Sequence, residues 1–240
     1  MRSLEKTVGV ARREKKLVTS LVSALQDNQK RGNRLVVASE FDCFQGVADV
    51  VTGLANGYRL FPSLSRQEFK PVSFSTAKVL SAVAGRKSTK MGRLVRVTGL
   101  SKATVRKELK LLQELRILKM TKKGQVSVRH EVRPPFKEIT AYEVKVKDWK
   151  SGIYQARNYK SFAHKVNVAL PLNRAKLLKK RLEIFRRMRV GLLGISASGD
   201  LKWFLHPRRQ KPISGARNFL AAISLLKRGK PSVDSRSNRA

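Results

Sequence analysis

Cysteine, histidine and acidic residues are scarce in this 240-residue chain. It has one cysteine, three histidines and 16 acidic residues, against 53 lysines and arginines. The single cysteine, Cys43, excludes an intramolecular disulfide and a cysteine-based zinc site. The histidines His130, His164 and His206 stand in unrelated sequence contexts, which argues against a histidine-based metal site.

Long apolar runs are missing as well. The first residues, MRSLEKTVGVARREKK, contain no apolar core of a signal peptide. No run approaches the roughly 18 apolar residues that indicate a membrane helix. We therefore expect a soluble protein in a reducing cytoplasm, with no membrane partner and no organic cofactor.

The abundant component is positive charge. The net charge is +37 and the isoelectric point is near 11.4, so a compact fold repels itself unless a polyanion neutralises it. Hydrophobic residues make up 41% of the chain, which is enough for a core and excludes a wholly disordered basic tail. Because the cations are spread through periodic segments, nucleic acid is favoured over an anionic membrane surface as the partner.

Hydrophobic periodicity predicts an α/β protein. In the first part of the chain we expect a helix over about 12–31 and strands over 34–44 and 47–54. A short apolar helix follows at 74–85. The α/β pattern resumes later with these predicted elements: strand 139–147, helix 151–163, strand 166–171, basic helix 173–189, hairpin 191–206 and helix 215–227.

Residues 91–130 have the layout of a winged helix-turn-helix. A short helix leads into a turn at Thr98-Gly99-Leu100, and Ser101 is a favourable N-cap for a long helix. The apolar stripe of this second helix has helical spacing: Val105, Leu109, Leu112 and Leu115. The segment ILKMTKKGQVSVR then predicts a hairpin, the "wing", which turns at Lys123-Gly124.

In winged helix-turn-helix proteins the second helix enters the major groove of DNA. We expect DNA contacts from the exposed positions near its start: Lys102, Thr104, Arg106 and Lys107. Backbone contacts are expected from the wing and from the later basic helix: Lys122, Lys123, Arg129, Lys179, Lys180 and Arg187. The alternative is a winged helix that contacts proteins, which the basic surface argues against.

Two acids stand out in predicted strands. Alternation in AYEVKVKDW (141–149) places Glu143 and Lys145 on one face of a half-buried strand. Asp49 lies between apolar residues of strand 47–54, where a carboxylate without a counter-charge is costly. Two plain interpretations remain open: a structural salt bridge for Asp49, and an ordinary solvated strand face for Glu143 and Lys145.

The order of these segments resembles the PD-(D/E)xK nuclease superfamily. The matching stretches are GVADVV for the acidic strand, YEVKV for the E-x-K strand, and YQARNYKSFAHKVNVALP for the following helix and strand. The resemblance covers residues 12 to about 60 and 138 to about 206. It implies a restriction-endonuclease-like mixed sheet flanked by helices. The long interval between Asp49 and Glu143 implies an inserted winged helix-turn-helix domain.

This organisation divides the chain into four segments. Residues 1–60 and 136–228 would form the two parts of the nuclease core, and 61–135 the inserted DNA-binding domain. Residues 229–240 would be a disordered basic tail.

The resemblance also implies a Mg²⁺ or Mn²⁺ site. Asp49 and Glu143 would hold the ion, with the carbonyl of Val144 as a third ligand, since Mg²⁺ prefers oxygen ligands. Lys145 would orient the attacking water or stabilise charge that develops on phosphate. Gln155 on the next helix would help to position the water or the lysine.

One further acid often completes such sites. Glu14 on the first helix is the candidate, and Glu40 and Asp42 on the first strand are its rivals. Tyr159, one turn after Gln155, would support the site or contact a phosphate.

The sequence therefore predicts a metal-dependent endonuclease that acts on duplex DNA. Such a fusion suits restriction, phage defence or a mobile element, in a bacterial, phage or plasmid-encoded setting. Cleavage of both strands would need two active sites and hence a homodimer. The alternatives are a non-catalytic DNA-binding transcriptional regulator on a nuclease-like scaffold and a nuclease that acts on structured RNA.

Overall fold

The structure is a computed structural model. It describes these residues: 2–27, 35–43, 46–55, 72–115, 117–121, 125–128 and 134–228. The predicted wing contacts Lys122, Lys123 and Arg129, and the terminal segment 229–240, lie outside these ranges. Among the helices described, none combines the length and the apolar character needed to cross a membrane.

The described residues contain both helices and strands. The described helices are α1 (Arg2–Asp27), α2 (Phe74–Val83), α3 (Met91–Thr98), α4 (Lys102–Glu114), α5 (Trp149–Asn158), α6 (Leu172–Leu177), α7 (Leu182–Met188) and α8 (Gly215–Arg228). The described strands are β1 (Leu35–Asp42), β2 (Val47–Ala55), β3 (Ser88–Lys90), β4 (Leu118–Met120), β5 (Gln125–Val128), β6 (Phe136–Val144), β7 (Lys165–Pro171), β8 (Gly191–Ile195) and β9 (Leu201–Leu205).

Six strands form one mixed sheet in the order β1-β2-β6-β7-β8-β9. The strands β6, β7 and β8 run parallel, and the other neighbouring pairs are antiparallel. Strands β2 and β6 are neighbours in the sheet although a whole module separates them in the sequence. The parallel strands end at the same edge, which is where α/β sheets commonly bind ligands.

Helices cover both faces of this sheet. Helix α1 packs Leu21 and Leu25 on one face, and α5, α6, α7 and α8 line the other. Strand β6 is therefore buried without interruption from Ile139 to Val144, as expected for a strand covered on both sides. The prediction of a half-buried strand is wrong here, because alternation in AYEVKVKDW reflects a buried Glu143 and not a solvated face.

Between β2 and β6, the residues that the structure describes form a smaller module of three helices and a sheet. Strands β3, β5 and β4 pair in that order, and α2, α3 and α4 pack a separate apolar core beside them. Ser101 caps α4 as predicted, since its side chain accepts a hydrogen bond from the Thr104 amide at 3.1 Å. Glu108, which the sequence did not mark, is buried in α4 and accepts a hydrogen bond from the Thr76 hydroxyl of α2 at 2.7 Å.

Helix α8 connects the two cores. Ala216, Phe219, Leu220 and Ile223 belong to the core of the smaller module, whereas Ala221, Ala222 and Leu225 belong to the core of the large sheet. The two sets lie on different sides of one helix. A single rigid element thus fixes the module against the sheet.

The continuous helix predicted over 173–189 is wrong. The segment contains α6, a 3₁₀ turn at Lys179–Arg181, and α7. The break falls at three consecutive cations, and Arg181 lies over the Trp149 ring at 5.7 Å. Leu178 and Phe185, on either side of the turn, are both buried in the core of the large sheet.

Candidate active site

The pairing of β2 with β6 brings the two predicted acids together. Val50 pairs with Tyr142 in an antiparallel register. Asp49, which precedes Val50, therefore lies beside Glu143, which follows Tyr142. The Val144 amide donates a hydrogen bond to Asp49 Oδ2 at 2.7 Å. Two residues far apart in the sequence therefore lie side by side at the end of β6.

Glu143 is held in place by two neighbours. Its side chain is 3% exposed, and the Lys145 ammonium lies 2.8 Å from Oε1. The Tyr159 hydroxyl donates to Oε2 and also lies 3.0 Å from the Val47 carbonyl. The interpretation of Glu143 and Lys145 as a plain solvated strand face is therefore wrong.

Asp49 carries an unfavourable charge in this position. Burial and the neighbouring Glu143 raise its pKa to about 6, although the Val144 amide and Lys145 act in the opposite direction. Glu14 adds a smaller repulsion. The ion pair of this pocket forms on Glu143, so Asp49 is left with excess negative charge that a cation would relieve.

Lys145 is held in its charged form. Burial opposes the ammonium, but its hydrogen bond to Glu143 and the nearby negative charges raise the pKa of Lys145 above the ordinary value. Helix α5 approaches the lysine closely at Gly152, where an added Cβ would lie 3.2 Å from Lys145 Cγ. Glycine at this position gives the aliphatic part of the lysine room against the helix.

Among the acids proposed to complete the site, Glu14 is the one whose charge acts on Asp49. Its Oε1 accepts a hydrogen bond from the Val146 amide at 3.3 Å, and its charge acts on both Asp49 and Lys145. Asp42 lies at the end of β1 with an exposed side chain. Glu40 is also exposed, with a φ of 47° that L-residues rarely adopt.

The backbone at Glu40 is part of the site even though its side chain is not. Ser39 pairs with Val50 and Phe41 with Ala48, so Glu40 is opposite Asp49. The Arg228 guanidinium of α8 donates to the carbonyls of Ser39 and Glu40, at 3.3 and 2.8 Å. These bonds hold an unfavourable backbone conformation directly beside Asp49.

The oxygen donors fit a hard divalent cation. Mg²⁺ is commonly held by one or two carboxylates together with waters and phosphate oxygens. Asp49 and Glu143 provide two carboxylates, and the raised pKa of Asp49 marks a local excess of negative charge. Within the described ranges there is no cluster of three or more His, Cys, Asp or Glu side chains with metal-binding geometry.

The predicted helper Gln155 contacts Ser151, whose hydroxyl lies 3.5 Å from its Oε1. Tyr159 makes the contact to Glu143 instead, from the 3₁₀ turn that follows α5. The sequence signal for this contact was the position of Tyr159, one helical turn after Gln155. No sequence pattern indicated that Gly152 or Arg228 belongs to the site. Both contact residues that are far away in the sequence, so their roles depend on the tertiary structure.

The predicted DNA contacts on α4 differ from one another. Lys102, Arg106 and Lys107 are exposed, whereas Thr104 Oγ1 lies 2.8 Å from Ser101 Oγ within the helix cap. The three predicted contacts outside the module are exposed on the turn after α6 and on α7: Lys179, Lys180 and Arg187.

Searches against family models, curated proteins and solved structures returned no match to this chain.

Proposed function

We propose that this protein is a metal-dependent endonuclease that hydrolyses phosphodiester bonds in duplex DNA. The observation that carries the proposal is the juxtaposition of Asp49 and Glu143 on adjacent strands, with Lys145 bound to Glu143, in a chain with a charge of +37. Hydrolysis adds water across a P–O bond, leaving one phosphate end and one hydroxyl end. Two carboxylates and a cation are suited to this chemistry.

The order of elements supports a restriction-endonuclease-like core. Helix α1, strands β1, β2 and β6, helix α5 and strand β7 follow the order expected from the resemblance to PD-(D/E)xK nucleases. Helices α2, α3 and α4 with strands β3 to β5 then form the inserted winged helix-turn-helix. Its second helix, α4, presents Lys102, Arg106 and Lys107 to DNA.

The site residues have distinct roles in this proposal. Asp49, Glu143 and the Val144 carbonyl would hold Mg²⁺ or Mn²⁺, which would supply charge neutralisation and a more acidic bound water. Because Lys145 keeps its proton, it stabilises negative charge on the phosphate and does not act as a base. Tyr159 also keeps its proton, since burial and Glu143 raise its pKa, and it orients the Glu143 carboxylate.

Plasmid cleavage tests the proposal. Supercoiled DNA is incubated with the wild type and with Lys145→Ala in Mg²⁺, Mn²⁺ or EDTA. We expect metal-dependent nicking or linearisation by the wild type, and a loss of about a hundredfold to a thousandfold in Lys145→Ala, comparable to the loss of one preorganised charge-stabilising group. DNA affinity should change little, because the lysine is one among many cations.

Lys165→Ala is the matched control. Lys165 lies 2.9 Å from Glu138, so it forms a second Lys–Glu pair on β6 and β7, at their opposite end. We expect this variant to cleave at the wild-type rate. Tight DNA binding without cleavage in any metal would favour the non-catalytic regulator, and metal-dependent cleavage of structured RNA alone would favour the RNA nuclease.

Glu14 and Glu40 should differ in their effect on metal affinity. Glu14→Gln removes a charge that acts on Asp49, so we expect Mn²⁺ to bind about tenfold more weakly or worse, as for groups that support metal ligands. Glu40→Gln should bind Mn²⁺ as the wild type does, because its side chain is exposed. Isothermal titration with Mn²⁺ measures both, and a larger loss in Glu40→Gln would contradict this assignment.

A further inference from the structure

An open groove lies at the edge of the sheet where the parallel strands end. It is lined by α1, by the residues after β6, by the β7–α6 junction and by the β8–β9 turn, and its volume is about 450 Å³. Four of its lining residues are cations: Arg13, Lys16, Lys147 and Arg174. None of its lining residues is acidic, and all four cations are exposed.

The groove is lined by both apolar and polar side chains. Leu17, Val146 and Pro171 provide the apolar surface, and Ser20, Asn173 and Ser196 provide hydrogen-bonding side chains. This combination matches one unit of a nucleic-acid strand. The sugar would lie on the apolar surface, and the phosphates would face the cations.

The groove lies next to the candidate active site. Val146 lines it, and the amide of the same residue binds Glu14 at 3.3 Å. Lys147 lies two residues after Lys145, and Arg13 precedes Glu14. A strand whose scissile phosphate is at Lys145 would therefore continue directly into the groove.

We propose that this groove binds a nucleotide of the cleaved strand, next to the scissile phosphate. The inference rests on the proposed nuclease function and adds the place where the substrate strand leaves the site. It also adds four residues that bind the strand, Arg13, Lys16, Lys147 and Arg174, which come from three separate parts of the chain. Repulsion among these four cations is relieved when phosphate enters.

Charge reversal tests the groove directly. The double variant Lys16→Glu, Arg174→Glu is compared with Arg208→Glu, Lys211→Glu, which changes the net charge equally at exposed positions. Gln210 lies between the two control residues, and its amide donates a hydrogen bond to the carbonyl of His164, just before β7 begins. The control residues therefore lie at the opposite end of the parallel strands from the groove. Fluorescence anisotropy with a labelled duplex measures affinity in EDTA, without cleavage.

We expect the groove variant to bind at least tenfold more weakly than the control variant at the same salt concentration. The slope of log K against log salt should become shallower by roughly two, one for each phosphate that the variant no longer neutralises. Equal reductions in affinity in both double variants would overturn the proposal, because the effect would then come from net charge alone.

A second measurement locates the bound nucleotide. On a duplex whose cleaved bond has been mapped with the wild type, single phosphates beside that bond are replaced by neutral methylphosphonates. One such replacement should slow wild-type cleavage about tenfold and should have no further effect in the groove variant. Additive effects at every position would overturn the proposal, whereas a wild type that cleaves nothing but loses affinity in the groove variant would overturn only the nuclease function.

Discussion

Asp49→Asn should make the protein more stable at neutral pH while it slows cleavage by roughly a hundredfold to a thousandfold. The pKa of Asp49 is raised from 3.8 to about 6, mainly by burial and by Glu143. An ionised carboxylate at this position therefore destabilises the metal-free fold. Asparagine removes that charge and keeps an oxygen that can accept the hydrogen bond from the Val144 amide.

The raised pKa of Asp49 makes the wild type less stable as the pH rises. Between pH 4 and 6 the folded state keeps a proton on Asp49 that the unfolded state has lost, so the free energy of unfolding falls as pH rises. Below this window Asp49 is protonated in both states, and above it the penalty is constant. With about 1.4 kcal/mol for each pKa unit, the penalty at pH 7 is of order 3 kcal/mol.

Unfolding of the wild type and Asp49→Asn from pH 4 to 8 in EDTA measures this effect. The two stabilities should be similar at pH 4 and should separate to a plateau above pH 6, where the variant is the more stable. Both proteins keep His164, whose pKa burial lowers to about 4, so its contribution cancels in the difference. An asparagine variant that is less stable at pH 7 would contradict the account, and Glu40→Gln serves as the neutral control.

The cost to cleavage should be large. A metal ion contributes several kcal/mol to the stabilisation of the transition state. Each 1.4 kcal/mol is a factor of ten in rate, so loss of one of two carboxylate ligands should slow cleavage by roughly a hundredfold to a thousandfold. A residue whose replacement raises stability and strongly lowers activity is expected at a functional site and not in a structural salt bridge.

Affinity for duplex DNA should fall by orders of magnitude with salt. A protein that neutralises six to ten phosphates loses roughly a thousandfold to a hundred-thousandfold in affinity between 50 and 200 mM salt. The described residues offer enough exposed cations for that number: Arg13, Lys16, Lys102, Arg106, Lys107, Lys147 and Arg174. Binding isotherms at four salt concentrations measure the slope.

Neutralising α4 should change that slope by a predictable amount. Replacing Lys102, Arg106 and Lys107 by alanine should make it shallower by roughly three, if all three contact phosphates. Arg186→Ala is the control, because Arg186 already pairs with Glu183 at 3.3 Å. A slope unchanged by the triple variant would contradict DNA binding by α4 and would favour a module that contacts protein.

Local sequence patterns determined most of the individual elements. Ser101 begins α4 because its side chain caps the helix, and Gly99 ends α3 because it adopts a left-handed conformation with φ of 64°. Alternating and apolar runs marked β1, β2, β7 and β8 within a few residues. These signals work because capping and hydrophobic periodicity act over only a few residues.

Pattern reasoning was wrong where distant elements override local preference. The apolar spacing of residues 173–189 fits a continuous helix, yet contact with Trp149 and the sheet favours a break at Lys179–Arg181. Strand β6 was expected to have a solvated face, but Glu143 lies on the face of Ile139 and Ala141, which α5 and the turn after it cover. Neither helix placement can be derived from the strand itself.

The sequence by itself determined which residue types are present for chemistry: two strand acids, one lysine beside the second acid, and a large excess of cations. Only the tertiary structure decided which of them meet. It placed Glu14 near Asp49, aimed Tyr159 at Glu143, and assembled the groove of Arg13, Lys16, Lys147 and Arg174. The physical reason is that these contacts depend on how helices pack on the sheet, which is set by the whole core and by no single segment.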